Sequence, residues 1–480
     1  MSYSTHSSLY DALLAIALEH EDKVAITCVS GEQVTYGELM ARIDLAAAGL
    51  AQQGLSAGQS IALLLSNSIN YIALIVACAK SGIAYYPVLE NFSADYIRQS
   101  IEVIRPAVLV VDGSRQIDPQ PLATLELTQL FSATVPSEPV DATVHTGVFR
   151  MLWSSGSTGF PKVIVWNQHK LVLERQRWIR GIGAGENDVV FCRHALDVAH
   201  ATDLHVFTSL LAGAKLILCS GKESDAEILR LILHFRPSIM SALPAHYQAL
   251  AALCQGEDLS FIRQPFCGGS YINQHLLQQV YQQAGLALKQ LYGSTDFGLA
   301  MVRHSREVAG DLGMSLLPGV RAELSPLPGL AHNCGELVLI SPFTSEGYLA
   351  NPAANAKTFR NGRYFTGDIA SLRDDGKYVI LGRVNDVLIT TEGAKFSAEL
   401  DYVLTALAAD AEVFTQVAQP QAGEQHLRVA IHAREAAQFA QAQHRVEQAL
   451  AAWNISYVIE SLAQVPRTPV GKIDKPKIFA

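Results

Sequence analysis

A loop of small and hydroxyl-bearing residues, 154–162 (SSGSTGFPK), lies between two apolar runs, 149–153 and 163–165. Between two strands, such a loop presents backbone N–H groups and hydroxyls to an anion, and Lys162 adds a positive charge. The spacing from Gly156 to the lysine differs from that of the GxxxxGKS or GxxxxGKT nucleotide loop. The segment therefore predicts a phosphate site, with an ordinary flexible turn as the alternative.

Two further segments place a carboxylate beside small and hydroxyl-bearing residues. They are 291–298 (LYGSTDFG), which carries Asp296 at a predicted strand end, and 364–368 (YFTGD), which carries Asp368. Loops at strand ends line the ligand crevice of α/β sheets, and a carboxylate offers two acceptor oxygens to a polar ligand. The alternatives are a surface aspartate in a turn for Asp296 and a helix cap or turn for Asp368.

A second candidate cation lies close to the end of the chain. The segment 466–474 (PRTPVGKID) places Lys472 eight residues before the C-terminus. A cation at a reaction centre favours the attack of one anion on another, because it shields both charges. A solvated lysine in a terminal tail is the alternative, and the choice between the two depends on the other motifs.

Taken in chain order, these segments resemble those of the adenylate-forming superfamily, which comprises acyl-CoA synthetases, peptide-synthetase adenylation domains and luciferases. The loop matches the family's SGSTGxPK pattern from Ser155 to Lys162, but Val163 stands where glycine is usual. The family's downstream histidine has no gap-free match, because Gln168 takes its place and His169 lies one residue later. The resemblance also covers 34–39, 267–270, 335–337 and 347–348, and so spans nearly the whole chain.

The resemblance implies a role in ATP binding for each matching residue. Thr295 would contact the α-phosphate, Asp368 both ribose hydroxyls, and Arg383 the ribose or a phosphate. Asp296 would hold Mg²⁺ where the family usually has glutamate, and the shorter side chain would bind through a water or need a closer backbone. Lys472 would reach the reacting carboxylate and the α-phosphate. The other implied nucleotide ligands are Ser155, Gly156, Ser157, Thr158, Gly159 and Lys162 at the β- and γ-phosphates, and Gly269, Tyr292, Gly293 and Ser294 around the adenylate.

By the same resemblance, an acid pocket lies beside the nucleotide. Its implied wall consists of His200, Asp203, Cys267, Gly268 and Gly298. In amino-acid-activating relatives an aspartate pairs with the substrate ammonium, and a buried carboxylate is favourable only in such a pair. Counting back from Gly213 places His200 at that position, with Asp197 and Asp203 on either side. An amino acid therefore stays open, an aryl or medium acyl acid is favoured, and His200 is either a ligand for a polar substituent or a core histidine.

The resemblance implies an enzyme that uses ATP and Mg²⁺ to convert a small carboxylic acid into an acyl-AMP and then passes the acyl group to a thiol. The thiol would belong to coenzyme A, the first choice, or to the phosphopantetheine of a separate carrier protein. One alternative is a free-standing amino-acid-activating enzyme that loads a carrier protein. Another is a catalytically inactive relative that binds nucleotide, which the departures at Val163, Asp296 and His169 would favour.

The sequence signals for the elements that must position these residues alternate between helix and strand. Thr35 and Glu38 predict a capping box at a helix start, and strand and helix signals then alternate up to 107–111, which predicts a parallel sheet. The pattern repeats from Val189, and short runs punctuated by Pro and Gly at 302–364 predict a β-barrel-like subdomain. We therefore predict an α/β fold. Residues 1–382 would form a large domain of two α/β layers plus that subdomain, and 383–480 a small mobile α+β lid with Asn385 at the hinge.

Composition excludes several classes of function. The chain has 480 residues, of which 49% are hydrophobic and 17% charged, as is typical of a well-buried globular protein. A net charge of −9 predicts no nucleic-acid partner. Seven cysteines without a CxxC pair favour a reducing cytoplasm. The N-terminus lacks the basic start of a signal peptide, and no apolar run approaches the roughly 20 residues that cross a bilayer, so no membrane contact is predicted.

Overall fold

The computed structural model describes most of the chain. The described residues are 8–89, 92–113, 122–132, 147–153, 162–254, 256–270, 272, 274–303, 312–390, 393–418, 425–467 and 473–480.

Strands occur along the whole described chain. In chain order they are β1 (Val24–Cys28), β2 (Gln33–Thr35), β3 (Ser60–Leu64), β4 (Ala84–Pro87), β5 (Leu109–Val111), β6 (Thr124–Glu126), β7 (Val148–Trp153), β8 (Val163–Asn167), β9 (Val189–Cys192), β10 (Lys215–Leu218), β11 (Ile239–Ala242), β12 (Gln264–Cys267), β13 (Lys289–Ser294), β14 (Gly298–Val302), β15 (Ser315–Leu316), β16 (Arg321–Ser325), β17 (Cys334–Ile340), β18 (Gly347–Tyr348), β19 (Phe359–Arg360), β20 (Arg363–Leu372), β21 (Tyr378–Arg383), β22 (Val387–Thr390), β23 (Gly393–Phe396), β24 (Glu412–Ala418), β25 (His426–His432) and β26 (Tyr457–Ser461).

Helices connect the strands. In chain order they are α1 (Leu9–Glu19), α2 (Tyr36–Gln52), α3 (Ile69–Ser81), α4 (Ala94–Ile104), α5 (Leu127–Leu130), α6 (Gln168–Ile182), α7 (Ala199–Ala201), α8 (Phe207–Leu211), α9 (Asp225–Phe235), α10 (Pro244–Leu253), α11 (Gln274–Ala284), α12 (Pro352–Thr358), α13 (Ser397–Ala408), α14 (Ala436–Ala452) and α15 (Lys475–Ile478). A π-helical turn, Thr202–Val206, separates α7 from α8. Among the helices of the described ranges, none is both long enough and apolar enough to span a membrane.

Local sequence explains where α2 begins. The Glu38 N–H donates to the Thr35 hydroxyl at 3.1 Å, and the Thr35 N–H donates to the Glu38 carboxylate at 2.8 Å. These reciprocal bonds satisfy N–H groups that have no partner within the helix. Leu39, Ile43 and Leu50 lie on one face and are fully buried. The predicted capping box and amphipathic helix are therefore confirmed.

The first sheet has seven strands in the order β18-β8-β7-β4-β3-β5-β6 within the described ranges. β3 pairs in parallel with both β4 and β5, and α3 and α4 lie between these strands in the chain. β7 and β8 form an antiparallel hairpin in which Trp153 is opposite Val163. The loop 154–162 therefore connects two adjacent strands, as predicted.

The second sheet has nine strands in the order β15-β14-β13-β12-β11-β9-β10-β1-β2 within the same ranges. Its central strands, from β13 to β1, pair in parallel, and β14 turns back antiparallel on β13. One apolar core contains Ile61 and Leu63 of the first sheet together with Val190 and Leu216 of the second. The predicted pair of α/β layers is thus confirmed.

The last part of the chain builds two further units. A five-stranded antiparallel sheet, β16-β17-β20-β19 with β21 on β20, stands where the β subdomain was predicted. Beyond it, β24, β25 and β26 pack against α13 and α14 around a separate core that includes Leu404, Val429 and Leu450. This arrangement agrees with the predicted α+β C-terminal unit. Because β21 runs on to Arg383, it crosses the predicted boundary at 382/383, and the division into domains stays a prediction.

Candidate active site

The hairpin of β7 and β8 carries the predicted phosphate loop. Ser155, Gly156, Ser157, Thr158 and Gly159 lie outside the described residues. Lys162 stands immediately before β8, and its ammonium lies 4.6 Å from the centre of the Tyr348 ring. The predicted cation is therefore placed at the start of the strand, next to an aromatic ring for which the sequence indicated no role.

The turn between β13 and β14 carries Thr295 and Asp296. The Trp166 indole N–H of β8 donates to the Thr295 carbonyl at 2.8 Å, so the first sheet holds the turn of the second. The Ser345 N–H donates to the Asp296 carbonyl at 3.3 Å. Gly293 is required here, because a Cβ at this position would lie 2.5 Å from the Gly298 carbonyl oxygen. Two separate chain segments thus hold the backbone of this turn.

The Asp296 side chain is only 8% exposed, and its Oδ1 has no hydrogen-bond partner among the described residues. Burial raises the pKa of this carboxyl, while a hydrogen bond with Tyr348 and the charges of Lys162 and Arg383 oppose the rise. A buried carboxylate oxygen without a partner is costly unless a ligand satisfies it. Carboxylate oxygens are the ligands that Mg²⁺ prefers, so Asp296 fits the predicted metal role.

Asp368 joins β13 to β20 and β21. The Tyr292 hydroxyl donates to Asp368 Oδ2 at 2.5 Å, and the Arg383 Nε lies 2.9 Å from Oδ1. Asp368 and Arg383 are direct partners in the pairing of β20 with β21, while the Arg383 side chain stays 65% exposed. Burial raises the pKa of Asp368, and the charge of Arg383 opposes that rise. Each carboxylate oxygen keeps a second lone pair, which suits a ligand with two hydroxyls.

Asp203, a predicted pocket residue, forms an ion pair with the fully buried Arg150. Arg150 Nη2 lies 3.1 Å from Asp203 Oδ2, and Nη1 contacts Oδ1. Burial alone would raise the pKa of Asp203, but the charges of Arg150 and Arg175 and the hydrogen bonds from Arg150 and Thr202 together lower it. The carboxylate is thus already matched by a cation of the chain itself.

Gly298 packs against a buried charge cluster on α6 that the sequence analysis missed. The Leu299 N–H donates to Glu174 Oε1 at 3.0 Å, and Glu174 also pairs with Arg175 and Arg177. Gly298 has φ +89°, and a Cβ there would lie 2.8 Å from the same carboxylate oxygen. The sequence did offer a signal: charged residues lie among apolar ones in the segment that forms α6. Charged side chains in such a setting are rarely buried unless they pair with one another.

Two further predicted wall residues, Cys267 and Gly268, lie at the carboxyl end of β12. Cys267 is fully buried as the last residue of β12 and is paired with Ala242 of β11. The Gly268 N–H lies 3.4 Å from the Ala242 carbonyl. Gly269 follows with φ +84°, a conformation that favours glycine. The strand ends therefore bring these residues to the same edge as the β13–β14 turn.

His200 packs among other histidine rings, and we call His194, His200 and His205 the histidine cluster; the His246 ring packs beside it, with its centroid 5.5 Å from that of His194. The ring centroids are 4.5 Å apart for His194 and His200, and 5.6 Å apart for each of the other two pairs. His205 is fully buried, with Nδ1 3.1 Å from the His200 carbonyl oxygen and Nε2 3.1 Å from that of Ser241. Burial lowers the pKa of His205 to about 4 and that of His194 well below 6.5. Both rings are therefore neutral at pH 7.

This burial predicts a loss of stability in mild acid. Between pH 6.5 and 4 the unfolded chain protonates His205 and the folded chain does not, so the free energy of unfolding falls as pH falls through this window. The pKa shift of His205 alone corresponds to about 3 kcal/mol. Urea unfolding at pH 7.5, 6 and 5, followed by the fluorescence of buried Trp166 and Trp178, measures the effect.

The control for this experiment is His444→Asn, which changes a histidine on the surface helix α14 and should leave the pH dependence of stability unchanged. Equal urea midpoints of the wild-type protein at pH 7.5 and 5 would contradict the prediction.

Lys472 lies outside the described residues, but its flanks are placed. Arg467 and Ile473 form an antiparallel bridge across 468–472. The Lys475 ammonium lies 2.6 Å from Asp401 Oδ2 and donates to the Ser397 hydroxyl at 2.8 Å. The chain end that follows Lys472 is therefore anchored to α13. The predicted hinge residue, Asn385, is exposed in the turn between β21 and β22.

The chain is similar in sequence to known proteins over most of its length. The family model described as AMP-binding enzyme matches residues 14–349. A feruloyl-CoA synthase from an Amycolatopsis species is 27% identical over 392 residues, covering 77% of this chain and 78% of that protein. A 2-hydroxy-7-methoxy-5-methyl-1-naphthoate–CoA ligase from Streptomyces carzinostaticus is 26% identical, covering 95% of this chain and 90% of that protein.

Among solved structures, the o-succinylbenzoate coenzyme A synthetase from Bacillus subtilis, in complex with ATP and magnesium ion, matches with a TM-score of 0.86. The two chains are 20% identical, and the match covers 98% of this chain and 99% of that one. This likeness confirms the predicted fold, including the large N-terminal part and the smaller C-terminal part.

Proposed function

Because the chain belongs to the AMP-binding enzyme family, whose model matches residues 14–349, we propose that it activates an aryl or acyl carboxylic acid as an acyl-adenylate and transfers the acyl group to a phosphopantetheine thiol. The family match and the relatives confirm the predicted class, an AMP-forming acid–thiol ligase. We further propose that the enzyme works in the cytoplasm, with CoA as the first choice of acceptor and a separate carrier protein as the second.

One observation carries the proposal, namely that separate segments converge on the Asp296 turn. Lys162 from the phosphate hairpin and Arg383 from β21 both lower the pKa of Asp296. Arg383 also pairs with Asp368, which accepts a hydrogen bond from Tyr292. Two cations and two buried carboxylates, contributed by three sheets and gathered around the β13–β14 turn, suit a bound nucleotide in which phosphates meet the cations and ribose hydroxyls meet Asp368.

The first half-reaction follows from these groups. An oxygen of the substrate carboxylate attacks the α-phosphorus of ATP, forming the new P–O bond while the bond to pyrophosphate breaks. Mg²⁺, held by Asp296, would neutralise phosphate charge. Lys162 would offset the charge of the departing phosphates, and Lys472 would shield the two reacting anions from each other. Trp166 and Ser345 hold the turn that presents Asp296.

In the second half-reaction, the thiol attacks the acyl carbonyl carbon, the C–S bond forms, and AMP leaves with the C–O electron pair. The thiol proton passes to a base or to solvent. The thiol attacks a neutral carbonyl carbon, so no cation is needed to shield two reacting anions from each other. Lys472 is therefore not required for this step.

The pocket favours an acid without an amino group. Asp203 is paired with Arg150, so its charge is satisfied before any substrate ammonium arrives. His194 and His205 are neutral, so neither ring supplies the negative charge that would pair with a substrate ammonium. The two curated relatives described above are named for aryl acids, feruloyl and naphthoate, which supports the same choice.

Pyrophosphate exchange into ATP, measured against a panel of aryl acids, medium-chain acids and amino acids, tests the proposal. We expect exchange with at least one aryl or acyl acid and none with amino acids. Exchange only with an amino acid would replace the proposal by the free-standing amino-acid-activating enzyme. No exchange with any acid, from a chain that still binds ATP, would favour the inactive relative.

Replacing Asp368 with alanine should raise the KM for ATP by at least about tenfold, because hydrogen bonds between a carboxylate and the ribose would be lost. Steady-state kinetics with ATP as the varied substrate measure this. Asp374→Ala is the matched control, since Asp374 is exposed at the turn of the same β20–β21 hairpin and should leave the KM unchanged. An unchanged KM in Asp368→Ala would remove the ribose role.

A further inference from the structure

The adenylation and acyl-transfer steps proposed above use none of the three rings of the histidine cluster as a reacting group, although the resemblance places His200 in the wall of the acid pocket. His194 follows β9, His200 lies in α7, and His205 lies in the π-helical turn, so one short stretch of chain supplies all three rings. One ring nitrogen from each histidine lies within 4.8 Å of the other two. His194 Nε2 and His205 Nε2 both lie 3.1 Å from the same carbonyl oxygen, that of Ser241 in β11. The three rings therefore converge on one point near the end of this strand.

The separations of the rings match those of a tri-histidine metal site. With metal–nitrogen bonds of about 2.0–2.1 Å and tetrahedral angles, the centroids of two coordinating imidazoles are roughly 5 Å apart. The observed distances of 4.5, 5.6 and 5.6 Å lie on both sides of that value. Small ring rotations would bring the nitrogens into the coordination range.

The hydrogen bonds of His205 favour a lone pair directed into the cluster. Both ring nitrogens face a carbonyl oxygen at 3.1 Å, but Nε2 also accepts a hydrogen bond from the Ser241 N–H at 3.3 Å, so the proton is assigned to Nδ1, which faces the His200 oxygen. The neutral ring then has its lone pair on Nε2, 3.1 Å from a second acceptor, the Ser241 oxygen. A bond from Nδ1–H to a backbone carbonyl is also the usual support of a metal-binding histidine.

We propose that His194, His200 and His205 bind one divalent transition metal of the class that imidazole prefers, represented by Zn²⁺. The metal would replace the contacts of the ring nitrogens with Ser241, and its fourth position would remain open, as in three-ligand zinc sites. The site is distinct from that of Asp296, because Mg²⁺ prefers oxygen ligands in octahedral geometry. Without metal, the same residues form a hydrogen-bonded cluster around Ser241.

Zinc binding to the full chain without ATP tests the proposal. After dialysis against a chelator, equilibrium dialysis with Zn²⁺ and elemental analysis should find one high-affinity ion per chain. His194→Asn and His200→Asn, at half-buried positions, should each weaken binding by at least about tenfold. Co²⁺ in place of Zn²⁺ should give the intense visible absorption of a tetrahedral site in the wild-type protein and lose it in both variants.

Two controls separate this site from others. His444→Asn removes an exposed histidine of α14, and Asp296→Asn removes the proposed Mg²⁺ ligand, and both should keep the wild-type zinc affinity. Zinc should also raise the melting temperature of the wild-type protein and of these controls, but not that of the cluster variants. Circular dichroism checks that each variant is folded.

Absence of a high-affinity ion in the wild-type protein would overturn the proposal and leave a hydrogen-bonded cluster only. Zinc affinity that falls in Asp296→Asn but not in His194→Asn or His200→Asn would overturn it as well. Neither result bears on the proposed ligase function, because no step of the experiment measures adenylation.

Discussion

Replacing Lys472 with alanine should slow acyl-adenylate formation by at least about a thousandfold and leave acyl transfer from a pre-made acyl-adenylate close to the wild-type rate. The carboxylate and the α-phosphate are both anions, so their approach needs a cation between them. The thiol attacks a neutral carbonyl carbon and has no such need. Pyrophosphate exchange measures the first step, and thioester release from added acyl-adenylate measures the second.

The matched control is Lys477→Ala, which removes an exposed lysine five residues further along the same anchored chain end. Its ammonium is paired with Asp474 at 3.1 Å, and both half-reactions should keep their wild-type rates. An equal loss in both half-reactions of Lys472→Ala would contradict the separation of roles and the lid behaviour that the resemblance implies.

Replacing Asp296 with asparagine should lower the rate of adenylation by roughly a thousandfold and raise the Mg²⁺ concentration needed for half-maximal rate. The asparagine keeps the shape of the side chain and loses the charged oxygen ligand. Asp296→Glu should keep much of the activity, because it retains the carboxylate. Initial rates of pyrophosphate exchange across a Mg²⁺ titration measure both effects.

Stability distinguishes loss of the metal ligand from misfolding. Burial raises the pKa of Asp296, so a neutral amide at this position relieves the cost of the buried charge. We therefore expect Asp296→Asn to melt at the wild-type temperature or above it. The control is Glu346→Gln. Glu346 lies two residues before Tyr348 and forms a partly exposed ion pair with Lys170, so its replacement should leave the Mg²⁺ dependence unchanged. A Mg²⁺ profile in Asp296→Asn equal to the wild-type profile would remove the metal role.

Much of the fold follows from contiguous residues. The capping box predicted from Thr35 and Glu38 opens α2, and the strand signal at 107–111 is observed as β5, Leu109–Val111. The position of the phosphate loop between β7 and β8 follows from two apolar runs that flank a glycine-rich segment. Capping, periodicity and turn chemistry act within a few residues, so a local pattern is enough to predict them.

Contacts between distant segments were not predictable in this way. The Trp166 indole donates a hydrogen bond to the carbonyl of Thr295, which lies 129 residues further along the chain. Arg150 pairs with Asp203, which lies 53 residues further along. Neither tryptophan nor arginine carries a local signal for such a partner. Glu174, Arg175 and Arg177 pair with one another within α6, but their burial depends on how α6 packs against β14, where Arg177 donates to the Leu299 carbonyl.

The sequence by itself determined the α/β class, the order of the motif-bearing loops and the type of chemistry, because short segments encode strand ends, caps and anion-binding loops. The tertiary structure decided the charge balance of each site. It pairs Asp203 with Arg150, leaves Asp296 with a buried oxygen that has no partner among the described residues, and gathers His194, His200 and His205 around Ser241. Burial and through-space charge set these states, and both depend on chain segments that meet only after folding.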